Sequence, residues 1–252
     1  TFRTFQTKIL PHEFLHNFGI EHAWHNRHRY GDDYDLLGGG GMRLHDFQIG
    51  HVNAGTKHRF GWIPDDKIKD LPRISSGTDE HIVTLKPFDR KNAIEQLGDS
   101  QFLGIRMETE FMNGVPCPPG ERSWCPTADR DNNPWLSIAG DNIYLYISYR
   151  ASCDRSTCKN GASLHLVKYR EGDWAHATQS IDVRPITVEQ RDMFLNPGET
   201  YVFEPQSDYS IKVKTLQADG ETLRVSVKYM SGKRVARVYE QDNAAILCEH
   251  TL

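Results

Sequence analysis

The run HEFLHNFGIEH at residues 12–22 decides how this chain is read. On a helix, His12 and His16 stand four residues apart and share one face. Two imidazoles at that spacing can grip one divalent ion. Gly19 tolerates the left-handed conformation that ends a helix sharply, which lets His22 swing back as a third ligand. Three protein ligands leave one position of a tetrahedral zinc ion open, the pattern of a catalytic rather than a structural site. Glu13 lies beside the first ligand, where it can reach a zinc-bound water. Zinc lowers the pKa of that water to about 7. Glu13 then acts as general base and passes the proton to a leaving amine.

Upstream of the run, Phe2, Phe5 and Ile9 recur at helical spacing, and Phe14, Leu15 and Phe18 continue the apolar face. Pro11 interrupts it. Proline has no N–H, so it either opens a helix at its first position or kinks one. Downstream, residues 31–61 are glycine-rich, including Gly38 to Gly41, and read as loop with a short helix near 53–60. Eight of the twelve histidines fall in the first 65 residues. His25 and His28 suit a solvated loop, and His45, His51 and His58 suit the surface. Asp32, Asp33 and Asp35 are candidates for binding calcium or fixing a turn beneath the metal, with Asp32 or Asp35 in a hydrogen-bonding role. Tyr30 and Tyr34 read as packing residues.

Beyond about residue 75 the pattern changes to short alternating segments: 81–87, 101–109, 142–150, 162–170, 200–205, 209–217 and 221–230. In the last, Leu223, Val225 and Val227 alternate with Arg224, Ser226 and Lys228, the mark of a half-buried antiparallel strand. Gln217-Ala218-Asp219-Gly220 is a hairpin turn signal. Strands of this number and spacing predict a β-sandwich. The expected division is a zinc-motif segment over 1–70, a sandwich over 75–240 and a tail over 241–252.

The net charge of -4, with both signs mixed along the chain, offers no basic block for nucleic acid. No apolar run reaches the roughly 18 residues needed to cross a bilayer. None of the five cysteines forms a CxxC pair, which argues against a thiolate zinc site. Cys117/Cys125 and Cys153/Cys158 read as two short disulfide loops of an oxidising compartment, with free cytosolic thiols as the alternative. Cys248 is left over.

HEFLHNFGIEHAW resembles the zinc motif of the metzincins, and in particular of the gametolysin-like peptidases. YGDDYDLLGGGG at 30–41 is similar to that family's Tyr-Gly-Asp…Met-Gly segment, and Asn53-Ala54…Lys57…Phe60-Gly61-Trp62 to its Asn-Ala-Pro-Gln-Lys…Leu-Gly-Trp segment. The stretches at 144–150, 161–170 and 196–205 resemble the β-rich region that follows the peptidase domain there. The resemblance implies an α+β fold: the C-terminal half of a metzincin peptidase domain, made of the zinc helix plus loops, followed by an antiparallel β-sandwich. It also implies a methionine under the metal. Leu37 stands in that place, with Met42 as the alternative register. Only eleven residues precede His12, where the family carries a sheet-bearing subdomain, so the chain is read as a fragment that cleaves poorly or not at all alone.

Two functions follow as expectations. The first is a secreted zinc-dependent endopeptidase that hydrolyses proteins or glycoproteins of an extracellular matrix or cell wall, with Zn2+ as cofactor. The gametolysin resemblance implies that substrate class and location. The second is a non-enzymatic β-sandwich binding protein that keeps a relic or incomplete peptidase site.

Overall fold

The structure, a computed structural model, describes residues 2–25, 30–39, 51–72, 80–109, 142–150, 161–169, 176–181, 183, 193–203 and 209–231. In chain order its elements are α1 (Phe2–His16), β1 (Ile20–His25), α2 (Ala54–Arg59), β2 (Ile68–Leu71), β3 (Glu80–Leu85), β4 (Gln101–Phe102), β5 (Gly104–Thr109) and β6 (Asn142–Arg150). They continue as β7 (Gly161–Tyr169), β8 (His176–Ser180), β9 (Phe194–Leu195), β10 (Thr200–Phe203), β11 (Tyr209–Ala218) and β12 (Leu223–Ser231). Met42, the five cysteines and the tail at 241–252 lie outside the described residues.

α1 runs through Pro11 and neither begins there nor stops there. One rung of its ladder is therefore missing, since proline cannot donate. The helix closes with tight turns in which Asn17, Phe18 and Gly19 donate to the carbonyls of Phe14, Leu15 and His16 at 3.0–3.1 Å. Gly19 then takes φ +75°, a conformation open to a residue without Cβ. The chain enters β1, whose last residue, His25, the sequence pattern placed in a loop. The reason is non-local. Ile20 and Ala23 bury themselves with Leu15, Leu36, Leu37 and Val52, while the backbone pairs in parallel with β8, about 155 positions away.

Two sheets form among the described residues. One has the order β1-β8-β7-β6-β5-β2, with β9 also paired to β7; the other has the order β10-β11-β12-β3-β4. Most pairings are antiparallel, as expected. Three are parallel, β1–β8, β2–β5 and β3–β4, and all lie at sheet edges. Leu223, Val225 and Val227 are fully buried, as their alternation predicts. Ser226 departs from the pattern: it is buried and donates to Glu80 on the neighbouring strand. The hairpin before β12 is closed by Asp219, which accepts the N–H groups of Glu221 at 2.8 Å and Thr222 at 2.5 Å, with Gly220 at φ +84°.

The sheets share one apolar core. Leu145, Ile147, Leu164 and Leu166 of the first meet Val83, Leu85, Val213 and Val225 of the second in a single cluster. The opposite face of β6 and β7 carries α2 and the loop around Asp32. α2 begins at Asn53, whose side chain accepts the Thr56 N–H at 2.9 Å. Gly55 touches this face so closely that a Cβ there would stand 3.2 Å from the Tyr146 ring and nearer still to Val167. A Leu145→Ala substitution removes a fully buried side chain from the shared core. It is expected to cost about 2–5 kcal/mol, read as a lower urea midpoint with an unchanged denaturant slope.

Candidate metal centre

The end of α1 and the start of β1 bring three imidazoles together. His12 and His16 project from the last turns of the helix, and the Gly19 turn carries His22 back towards them. The Nε2 atoms of His12 and His22 each stand 3.1 Å from the Nε2 of His16. All three ligand nitrogens lie within 4.8 Å of one another. His12 and His22 are buried and His16 is half-buried.

The outer nitrogens of two rings are committed. His12 Nδ1 donates to the Leu36 carbonyl at 2.8 Å, and His16 Nδ1 donates to the Ile20 carbonyl at 2.7 Å. A carbonyl oxygen only accepts, so each Nδ1 carries the proton. In a neutral ring the lone pair then sits on Nε2, facing the centre. Two such lone pairs at 3.1 Å have no proton to share. A cation reconciles them, and backbone-anchored imidazole is a common zinc ligand. Nitrogens about 2.1 Å from one tetrahedral zinc stand about 3.4 Å apart. The His16 spacings fit that distance, and movements of about an ångström bring the full set to it. Zinc therefore fits these residues.

Glu13 is exposed and makes no hydrogen bond or ion pair with the described residues. Tyr30 stands with its ring centroid 4.0 Å from that of His22 and 6.1 Å from that of His12. Leu37 is buried in the cluster that packs beneath the helix end and β1.

The turn that supplies the Leu36 carbonyl is held by buried acids. Asp35 accepts the Leu37 N–H at 2.9 Å on one oxygen. Its other oxygen accepts the N–H of Asn53 at 2.7 Å and the Asn53 side-chain amide at 2.8 Å. Asp32 accepts the Tyr34 N–H at 3.0 Å and His165 Nε2–H at 2.9 Å. Arg150 donates to the Tyr34 and His51 carbonyls and lies 4.0 Å from Asp89. Asp32 and Asp35 thus touch none of the three site histidines directly; they fix the turn.

Charge follows from this packing. Burial opposes ionisation of Asp32, but the His165 bond and charge, Arg150 and the Tyr34 N–H outweigh it and hold the carboxyl below its ordinary range. Asp35 is pushed up by burial and by the Asp32 charge, against the pull of its N–H donors and Arg150. Burial, Lys57 and Arg150 lower His51 to about 4. Burial and Arg150 lower Lys57 to about 8.

Other histidines fall elsewhere. His25 is buried rather than solvated, with Nδ1 2.8 Å from Ser180 Oγ across the β1–β8 pair. His58 is also buried rather than on the surface. Its Nε2–H donates to Asp65 at 2.7 Å, and its Nδ1 accepts the Tyr146 hydroxyl at 2.8 Å. His165 and Arg150, which the sequence reading did not select, anchor the site turn to the sheet. A signal existed for His165, a polar residue between Leu164 and Leu166, and none for Arg150, the last residue of β6.

Residues 3–78 match the sequence model of the gametolysin peptidase M11 family. No curated protein and no solved structure matches the chain. The match supports a gametolysin-like peptidase segment and a metallopeptidase-type function with a protein substrate. Peptidases of that family are metallopeptidases, generally zinc-dependent. Among the described residues, no helix is long and apolar enough to cross a membrane.

The Asp32 arrangement has a defined pH sign. A carboxyl whose folded pKa is depressed stabilises the fold above its unfolded value near 3.9, and that contribution disappears as pH falls through the folded value. Asp32→Asn is expected to cost about 3–5 kcal/mol at pH 7, because His165 and Arg150 lose a buried counter-charge. Urea midpoints of variant and parent should converge as the pH is taken below about 4.

Proposed function

We propose that residues 12–22 form the catalytic zinc site of a metalloendopeptidase, with His12, His16 and His22 as ligands and Glu13 as general base. The observation that supports it most is the meeting of three imidazole nitrogens whose ring protons are turned outward at His12 and His16. Three ligands from the chain leave room for water and substrate at the metal.

Zinc held there supplies a Lewis acid that polarises a carbonyl and makes water a nucleophile near neutral pH. The chain's own part is to hold and move protons. His12 and His16 keep their rings oriented through the Leu36 and Ile20 carbonyls. Glu13, exposed beside the first ligand, accepts the proton of the attacking water and hands it to the leaving amine. Tyr30, packed on His22 and 37% exposed, borders the side from which substrate arrives. The resemblance to gametolysin-like peptidases supports proteins or glycoproteins of an extracellular matrix or cell wall as substrates, and secretion as the route to them.

Zinc content and peptide hydrolysis separate the roles. Glu13→Gln should keep one zinc per chain and lose about 10²–10⁴-fold in turnover. His16→Ala should lose the metal as well. Hydrolysis that continues after zinc has been stripped completely by a chelator would rule out the mechanism.

A further inference from the structure

The flank of α1 turned away from His16 forms one side of a groove of about 570 Å³. Phe14 and Phe18 make one wall, edge to face with ring centroids 5.1 Å apart. Phe60 and Trp62, 5.8 Å apart, make the other. Leu15, Leu36 and Val52 form a buried floor. Phe14 is 57% exposed, Trp62 46% and Phe18 42%. Large aromatic side chains left in water side by side mark an interaction surface.

Among the described residues that line the groove, Lys57 is the charged one, and no aspartate or glutamate is among them. The carboxylates of Asp89 and Asp35 act on Lys57 from outside that lining. An ammonium has three donors. Two of those of Lys57 go to His51 Nδ1 and the Phe88 carbonyl, both at 3.2 Å. The third has no partner among the described residues and faces a ligand in the groove. His51, also in the lining, stays neutral at physiological pH, since burial and two cations lower it to about 4. The partly desolvated Lys57 makes a stronger partner for an anion than a surface lysine does.

We propose that this groove docks a peptide segment bearing apolar side chains and a carboxylate. The open rim favours a peptide over a free alkyl chain. Side chains can enter between the two aromatic walls while the backbone stays in water, whereas an alkyl chain lying there keeps much of its surface wet. On the peptidase reading, the groove gives a protein substrate a second point of attachment behind the zinc helix.

The test uses the whole chain in EDTA, so that binding is read apart from the metal. The probes are two fluorescein-labelled peptides, Leu-Phe-Pro-Leu-Phe-Asp amide and its counterpart ending in Asn. Fluorescence anisotropy should show the Asp peptide binding at least tenfold tighter. Lys57→Gln should erase that preference and Lys57→Arg should keep it. Phe14→Ser with Trp62→Ser, at exposed positions that leave the melting curve intact, should weaken both peptides at least tenfold. Equal binding of the two peptides to the parent chain would overturn the proposal. So would indifference to the double substitution, displacement of the peptide by decanoate at similar affinity, or a parent dimer that the double substitution splits. Intact docking on a chain that takes up no zinc at His12, His16 and His22 would reject the peptidase reading alone. Intact zinc binding at those residues with no docking would reject this proposal alone.

Discussion

His12 gives its Nδ1 proton to the carbonyl of Leu36 at 2.8 Å, and that bond ties the helix to the turn that follows β1. It sets which nitrogen of His12 faces the other imidazoles and limits rotation of the ring. The matching bond from His16 to Ile20 does the same across the Gly19 turn. Neither is local helix hydrogen bonding. Each needs the chain to leave α1 abruptly and return along its side, and Gly19 at φ +75° makes that exit possible.

What holds the turn is a layer of buried charge on the outer face of β6 and β7. Burying an unpaired carboxylate or guanidinium costs several kcal/mol. Asp35 meets that cost with three N–H donors, and Asp32 with His165, Tyr34 and the nearby Arg150. Arg150 in turn spans the backbones of Tyr34 and His51. These bonds link Asp32, Tyr34 and His51 to strands 99 to 133 positions later. The zinc-motif segment and the β-rich segment are therefore physically joined through polar anchors as well as through the pairing of β1 with β8.

The legible parts were those whose cause is close in sequence. The spacing of His12, His16, Gly19 and His22 specifies a helix, an exit and a return, and the three histidines do meet. Alternation through Leu223, Val225 and Val227 specifies a strand, and Asp219-Gly220 its turn. The illegible parts have distant causes. β1 is a strand because β8 lies beside it, and nothing within Ile20–His25 states that. His58 looked like a surface residue until Tyr146 and Asp65 enclosed it. Pro11 suggested either a helix start or a kink within one, and the helix runs on past it to Phe2. Leu37 was read as a floor for the metal, and it is buried in the cluster with Leu15 and Ile20, as an apolar residue in that turn must be.

The most direct test of the account is zinc K-edge X-ray absorption on the metal-loaded chain. Three imidazole nitrogens at about 2.0–2.1 Å, with one oxygen at a similar distance, are expected. Sulfur scattering at about 2.3 Å, or fewer than three imidazoles around the ion, would contradict the idea that His12, His16 and His22 hold one metal together.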